Sequence, residues 1–368
     1  MAKTSTAPRP IQFALAGLLS LALAAFSSIF SSVFAADAAG GDRGIRDAIG
    51  ALVQSSDLDE ARALAHQASA QYPQFRLANF FEAEVLSAMA GKEVAVAGSG
   101  KVRASSEPHD LFEEARLHAS TPDQLGQLRP VQVMRMPRGT DFLVLVDAQS
   151  SRAHLLRNQD GEPVWISDFY VTIGKRGFGK EKEGDQKTPL GLYTVQKEIS
   201  KNKLIDFYGE GALPLDYPNA LDRYLSHTGY GIWLHGVPPT SYNRPLRASD
   251  GCVVLTNEDL NRVRKIFKGR RAMVLITTQV QWVDQPTWRK RSQQSLDEAQ
   301  NLASAGRKVG TGGGNPVQAL YSPEPETSFI IDRAIEGGGK SDVQREYWVK
   351  RNDKWNLSFK YRPDSVGL

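Results

Sequence analysis

The sequence predicts a multidomain protein with a helical N-terminal region, a mostly-β central domain and a small α+β C-terminal module. Three observations support this prediction. The chain has 368 residues, the length of two or three ordinary domains. Before about position 130, apolar residues recur at the three-to-four spacing that is typical of helices. From Gly139 onwards, short β-branched and aromatic runs separated by turn residues indicate strands.

Composition and charge exclude several classes of protein. Lys and Arg number 45 against 41 Asp and Glu, so the net charge of +4 is small and no basic run stands out. A nucleic-acid partner is therefore not expected. Cys252 is the single cysteine of the sequence, which excludes an intrachain disulfide and a cysteine-based metal cluster.

The first 35 residues are typical of an export signal. Lys3 and Arg9 precede an uncharged apolar stretch over 11–34, and Ala35 ends a small-residue cleavage site. The sequence therefore predicts a signal peptide over residues 1–35 and a periplasmic protein. A retained membrane anchor carrying the same exported domains is the alternative. A lone thiol in an oxidising compartment suggests use in chemistry, because cysteines there are usually paired or absent.

Residues 36–130 are predicted to be helical. The two helices on either side of Tyr72-Pro73 resemble a single tetratricopeptide-type hairpin, which cannot form an array by itself. We therefore expect it to pack on a neighbouring domain, on a second copy in a dimer or on another protein partner. Its histidines, His66, His109 and His118, are interpreted as ordinary surface or packing residues.

Residues 139–278 are predicted to form a mostly antiparallel β domain, interrupted by a polar helix over 257–267. The predicted strands are 142–147, 154–157, 164–166, 169–173, 192–195, 232–234 and 273–276.

Residues 282–368 are predicted to form a small α+β module. It would contain a helix over 282–305 and a C-terminal hairpin whose Trp355, Leu357, Phe359 and Tyr361 share one face. The glycine runs at 312–314 and 337–339 follow no strand, so we interpret them as loops rather than phosphate-binding sites.

One short window offers the parts that thiol chemistry needs. A cysteine nucleophile needs a base and hydrogen-bond donors for the oxyanion that forms at the attacked carbonyl. Cys252 follows Ser249, Asp250 and Gly251, and the glycine permits a tight turn of the main chain. His235 ends an apolar strand 17 positions before Cys252 and is followed by Gly236. It is therefore the best candidate for the base.

Alternatives remain for each of these residues. Cys252 could be a small buried apolar residue, as free cysteines often are. His227 is a secondary candidate for the base, although a loop histidine that orients its neighbours is the preferred interpretation. A metal site made of His227, His235 and Asp250 lacks regular ligand spacing, so no metal and no cofactor are expected.

The window from His235-Gly236 to Ser249-Asp-Gly-Cys252 resembles the active-site signature of the YkuD-type L,D-transpeptidase catalytic domain. The segments Ile173-Gly174 and Lys187-Thr-Pro-Leu-Gly-Leu-Tyr193 are similar to other motifs of that family. The resemblance covers about 139–278. It implies that Cys252 is the nucleophile and His235 the base, and that Ser249, Gly251, Gly236 and Asp250 support the site. It also implies peptidoglycan stem peptides as substrate.

Two departures from the commonest family pattern bear on the activity. Asp250 stands where His is usual, and Val254 where Arg or Asn is frequent. The variant Ser249-Asp-Gly-Cys-Val-Val-Leu255 is instead similar to cell-shape L,D-carboxypeptidases of the same fold, which end in an NTF2-like module. A transpeptidase is the default activity that the family resemblance implies, and an L,D-carboxypeptidase is the alternative. A third hypothesis is an inactive peptidoglycan-binding scaffold, although a scaffold needs neither Cys252 nor His235.

Overall fold

The computed structural model describes residues 41–52, 57–92, 107–119, 124–304, 315–335 and 343–363. The predicted signal peptide lies outside these residues. They form the three predicted parts: a helical N-terminal region, a mostly-β central domain and a C-terminal module of one long helix and a sheet. Among them, no helix combines the length and the apolar character needed to cross a membrane.

The helices of the N-terminal region pack around a core of small and aromatic side chains. The second helix begins where the Asp57 side chain accepts a hydrogen bond from the Glu60 amide, and it buries Ala61 and Ala65. Small side chains such as these let neighbouring helices approach closely. The helices described here are α1 (Gly41–Gly50), α2 (Leu58–Gln71), α3 (Arg76–Met89) and α4 (Glu107–Ala119).

The remainder of the described chain is mostly strand. Its helices are α5 (Ala220–Tyr224), α6 (Asn257–Phe267) and α7 (Gln285–Ser304). Its strands, in chain order, are β1 (Leu128–Pro130), β2 (Val133–Arg135), β3 (Phe142–Asp147), β4 (Arg152–Gln159), β5 (Glu162–Tyr170), β6 (Ile173–Gly174), β7 (Gly191–Thr194), β8 (Ile199–Ser200), β9 (Gly211–Pro214), β10 (Trp233–His235), β11 (Arg247–Ser249), β12 (Val253–Val254), β13 (Met273–Thr277), β14 (Trp282–Asp284), β15 (Val317–Tyr321), β16 (Ser328–Ala334), β17 (Val343–Arg351) and β18 (Lys354–Tyr361).

A five-stranded sheet, ordered β5-β4-β3-β13-β7, is the base of the central domain. Its strands pair antiparallel except for β3 and β13, which are parallel and buried throughout. The strands predicted at 164–166 and 169–173 are replaced by the single longer strand β5. Asp168 does not break this strand because its carboxylate is bound by Arg152 of the neighbouring strand β4.

A four-stranded sheet, ordered β12-β10-β9-β8, carries the candidate site. Helix α6 follows β12 and has the limits predicted from the sequence. It begins where the Thr256 side chain accepts a hydrogen bond from the Asp259 amide. Leu260 and Val263 of this helix pack into the same core as Leu234 and Val253. The helix thus packs against strands β10 and β12 and holds them in place.

The C-terminal sheet has the order β18-β17-β16-β15-β2. Its edge strand β2 comes from the chain segment that precedes the central domain, and it pairs antiparallel with β15. Helix α7 packs on this sheet, where the Trp288 indole donates a 3.0 Å hydrogen bond to the Val133 carbonyl. The predicted domain limits, 36–130, 139–278 and 282–368, remain predictions. Strand pairing joins the predicted regions, because β1 lies in the first range and pairs with β14 in the third.

Two sequence expectations for the C-terminal module were wrong. The helix predicted from Trp282 begins only at Gln285, because β14 pairs with β1 and the Asp284 side chain then caps the helix at the Thr287 amide. The hairpin aromatics also do not share a face. Trp355 packs in one apolar cluster and Phe359 in another, because the pairing of β17 with β18 slips by one residue between them.

A buried group of charges joins the helical region to the central domain. Arg152 binds Asp42 of α1 at 2.9 Å and also binds Asp168. His118 of α4, whose side chain is 1 % exposed, lies 2.7 Å from the same Asp42 carboxylate. Burial opposes the charge of Asp42, but Arg152 and His118 hold its pKa well below the usual value. His118 is therefore more than the ordinary packing residue that the sequence suggested.

Candidate active site

The structure brings Cys252 and His235 onto neighbouring strands. Strands β10 and β12 run parallel, with Leu234 opposite Val253 and His235 opposite Val254. The Leu255 amide donates a 2.9 Å hydrogen bond to the His235 carbonyl. Cys252 immediately precedes β12 and so lies beside the start of β10, whereas His235 ends β10. Residues 17 apart in sequence are therefore brought together by one pair of neighbouring strands.

A tight turn before β12 presents the cysteine. The Ser249 hydroxyl accepts a 3.1 Å hydrogen bond from the Gly251 amide and donates one of 2.7 Å to the Cys252 carbonyl. Gly251 has a φ of +128°, and a Cβ there would lie 2.7 Å from the Lys187 carbonyl oxygen. Glycine is therefore required at this position. Ser249 acts on the shape of the turn, and the Gly251 amide is already bonded within it.

The thiol of Cys252 is held in its neutral form. It is partly exposed and donates to the Gly231 carbonyl at 3.3 Å. Loss of hydration raises the pKa of the thiol to about 11, although the Trp233 amide and the Arg244 guanidinium act in the opposite direction. In the free protein at neutral pH, Cys252 therefore carries its proton.

His235 is arranged as a neutral base. Its ring is buried, and Nδ1 lies 2.7 Å from the Gly236 carbonyl oxygen, so Nδ1 carries the proton and donates it there. The lone pair of Nε2 is then free to accept a proton. Burial lowers the pKa of His235 to about 4, because an imidazolium would be poorly solvated here. The edge of the ring packs against Tyr208, with ring centroids 5.0 Å apart.

Gly236 gives the histidine its hydrogen-bond acceptor at a crowded position. A side chain at Gly236 would collide with the Asn257 side-chain oxygen. That oxygen accepts hydrogen bonds from the amides of Val237 and Glu210, so it has little room to move. The close approach of these chains explains why a glycine follows His235.

Asp250 and His227 lie at the edge of the arrangement. The Asp250 side chain is 71 % exposed and binds Lys175 and Gln186, each at 3.0 Å. The His227 ring faces Asp222, with Nδ1 3.3 Å from the carboxylate, rather than the thiol. Among the described residues, no group of three or more His, Cys, Asp or Glu side chains is arranged to hold a metal ion.

Arg244 is a charged residue of the site that the sequence did not single out. Its guanidinium stacks over the Phe207 ring at 3.9 Å, and it influences the charge of both Cys252 and His235. The residue lies in an irregular loop between β10 and β11, where no periodic pattern marks it. Only the fold brings it to the cysteine.

Residues 141–281 match the family model of YkuD, the L,D-transpeptidase catalytic domain. The central domain is therefore similar to the YkuD catalytic domain. The matched span includes the cysteine, the histidine and the turn that joins them to their sheet.

Relatives of known sequence cover only part of the chain. YafK of Escherichia coli (strain K12), assigned by name to the L,D-transpeptidases, is 27% identical over 132 residues, which cover 30% of this chain and 49% of YafK. YafK of Escherichia coli O157:H7 matches to the same extent. The chain thus spans about half the length of the curated relatives it matches.

Solved structures with similar folds cover more of the chain. Bd1075 of Bdellovibrio bacteriovorus is 22% identical, with a TM-score of 0.49, over 64% of this chain and 98% of its own. The helical cell shape determining protein Pgp2 of Campylobacter jejuni is 16% identical, with a TM-score of 0.44, over 68% of this chain and 99% of its own.

Proposed function

We propose that the protein is a peptidoglycan-modifying cysteine L,D-transpeptidase that cleaves the bond between the diamino acid and D-Ala of stem tetrapeptides. One observation carries the proposal: within a YkuD domain, a histidine whose Nδ1 is anchored to Gly236 sits on the strand beside Cys252. A cysteine with a neutral base next to it is the arrangement that acyl transfer through a thioester needs.

In the proposed reaction the sulfur of Cys252 attacks the carbonyl carbon at the L-centre of the diamino acid. The thiol proton passes to Nε2 of His235, and a tetrahedral oxyanion forms. As the carbon–nitrogen bond breaks, His235 returns the proton to the nitrogen of the departing D-Ala, which leaves a thioester on Cys252. An amine of a second stem then attacks the thioester carbonyl and gives up a proton to His235. The carbon–sulfur bond breaks as the new amide forms, and His235 returns the proton to the sulfur of Cys252.

The residues around the pair have supporting roles in this proposal. Because the Gly251 amide is bonded to Ser249, we assign the main-chain donor for the oxyanion to the Cys252 amide and the shape of the turn to Ser249. Gly236 keeps the His235 tautomer. Asp250 has no direct part in the chemistry because its side chain points to Lys175 and solvent.

The second candidate is an L,D-carboxypeptidase, in which water resolves the thioester and tetrapeptides are trimmed to tripeptides in cell-shape control. The variant sequence from Ser249 to Leu255 favours it, through its similarity to carboxypeptidases of the same fold. The chemistry up to the thioester is identical in the two candidates, so only the acceptor distinguishes them.

Mass spectrometry of muropeptides after incubation with the purified protein tests both candidates. Cross-linked products that contain a tripeptide donor support the transpeptidase, whereas tripeptides alone support the carboxypeptidase. Unchanged muropeptides, with full complementation of a deletion strain by Cys252→Ala, would indicate the inactive scaffold instead.

The proposed substrate also indicates in which compartment the protein would act. Stem peptides are found outside the cytoplasm, so we propose a periplasmic protein exported by the signal at residues 1–35. A dimer or a protein partner bound through the helical region remains part of the proposal. Gel filtration with light scattering would reveal the dimer.

A further inference from the structure

The guanidinium of Arg244 lies where a positive charge affects the proposed nucleophile. It stacks on Phe207, and its Nη2 donates a 3.1 Å hydrogen bond to the Phe207 carbonyl. The positive charge favours a thiolate on Cys252 and disfavours a second positive charge on His235.

Side chains of the central domain bind the main chain of Arg244. Its carbonyl oxygen accepts two hydrogen bonds of 2.9 Å, one from the Tyr170 hydroxyl and one from the Thr172 hydroxyl. The Tyr170 ring in turn stacks on His118 of α4, with ring centroids 5.3 Å apart. Tyr170 therefore connects the loop that carries Arg244 to the helical region.

The two residues before Arg244 are held by the helical region itself. The ring of Tyr242 packs against Tyr72 and Phe75, with ring centroids at 4.6 and 4.3 Å, and is part of the helical core. The Asn243 side chain donates a 2.7 Å hydrogen bond to the Glu114 carboxylate of α4. Consecutive residues of one loop are thus bound by the connection between α2 and α3 and by α4.

We propose that the helical region is a positioning element of the active site, which holds Tyr242 and Asn243 so that Arg244 stays over Phe207, whose ring centroid is 6.2 Å from that of His235, and favours the thiolate of Cys252. The proposal rests on the proposed function, because it assigns Cys252 as the nucleophile. Arg244 is the residue that acts on the thiol, whereas Tyr242 and Asn243 act only through it. A region that only anchored the protein or recruited a partner would not need contacts with this loop.

The test measures the thiol directly, by the rate at which iodoacetamide alkylates the full chain across pH. Cys252 is the single cysteine, so every alkylation reports on it. We expect Arg244→Gln to raise the apparent pKa of the thiol by about half to one unit, which is about a three- to tenfold slower reaction at a fixed pH below that pKa. Arg244→Lys should retain most of the wild-type rate, because it keeps the charge.

Asn243→Ala is the decisive variant. Like Arg244→Gln it should slow the alkylation of Cys252, but by a smaller factor. In the double variant with Arg244→Gln it should cause no further decrease in the alkylation rate. The control is Ser87→Ala, which removes an exposed side-chain hydrogen bond to the Ala83 carbonyl within α3. That control should leave the rate unchanged. Tyr242→Leu provides a second test from the adjacent side chain if Asn243→Ala does not fold.

Two results would overturn the proposal. Arg244→Gln with an unchanged thiol pKa would show that the guanidinium does not act on Cys252. An Asn243→Ala effect that persists in the Arg244→Gln background would show that the helical region acts by another route. Because alkylation needs no substrate, failure of the muropeptide assay would affect the proposed function alone.

Discussion

Two groups of buried ionisable residues in this protein respond to burial in opposite ways. Cys252 and His235 are both neutral at pH 7, since burial raises the pKa of the thiol to about 11 and lowers that of the imidazole to about 4. Asp42 and Arg152 are also largely covered by protein, but each is charged because Arg152 binds both Asp168 and Asp42. Burial alone does not decide the charge state. A group of opposite charge close by decides whether a buried residue is charged.

The difference matches what each group has to do. The charged group joins two regions of the protein and need not change during a reaction. In the proposed reaction the neutral pair exchanges a proton when substrate arrives, and a permanent ion pair would already have made that transfer. Arg244 adds a partial bias towards the thiolate at a distance, without a direct contact that would fix the charge.

The largest predicted effect comes from removing the base. His235→Gln should lower kcat/KM on stem tetrapeptides by about a hundred- to ten-thousand-fold, because His235 accepts the thiol proton in the proposed reaction. His227→Gln is the matched control and should have a much smaller effect, since its ring faces Asp222. Equal losses in the two variants, measured by release of D-Ala, would contradict this assignment.

The next effect is on stability, in the charged group. Arg152→Met should reduce the free energy of unfolding by about 3–5 kcal/mol, because it removes the counter-charge that the buried carboxylates of Asp42 and Asp168 share and leaves them only His118 and Arg46. Lys201→Met breaks an exposed pair with Glu210 and should change stability far less. Urea unfolding compares the two variants, and similar losses would show that the buried charges contribute no more than a surface pair.

A pH-dependent effect should follow from His118. The Asp42 carboxylate raises the pKa of this buried imidazole above its ordinary value despite the opposing effect of burial. A raised pKa in the folded protein gives stability that is present below the unfolded pKa of about 6.5 and is lost as pH rises through the folded value. The melting temperature should therefore fall on the alkaline side of neutrality.

His118→Gln tests the origin of that fall. It should lower the melting temperature at pH 6 and flatten the dependence on alkaline pH, whereas Asp42 titrates well below this window. His66→Gln is the control, because His66 forms an exposed pair with Glu82 at the surface. An unchanged slope in His118→Gln would assign the pH dependence to another group.

The smallest effect should come from Asp250. Asp250→Asn removes an exposed ion pair with Lys175 and should change stability by less than about 1 kcal/mol. It also removes a negative charge that opposes the thiolate, so alkylation of Cys252 should become slightly faster. A slower reaction would mean that Asp250 supports the thiol directly.

Local patterns in the sequence predicted the parts of the site that depend on neighbouring residues. The turn at Gly251 and helix α6 after Thr256 are encoded within a few positions, and both are present in the structure. The proximity of Cys252 to His235 required only that two short strands pair. The roles proposed for these residues stay predictions until the variants are measured.

The features that the sequence did not predict depend on contacts between distant residues. Asp42 and Arg152 are 110 positions apart, and Asn243 and Glu114 are 129 apart. Neither periodicity nor a short motif records such a pairing. The slip in the C-terminal hairpin was also missed, because alternation along β18 assumes an unbroken register.

The pairing of β2 with β15 bears on how the protein is made. In an incomplete chain Val133–Arg135 has no partner strand until β15 is present, and β15 follows the whole central domain in sequence. Until the two strands pair, β2 is open to pairing with other chains, which is a common route to aggregation. Folding of this protein should therefore finish with the C-terminal strands, and intermediates that lack them are where a chaperone would be needed.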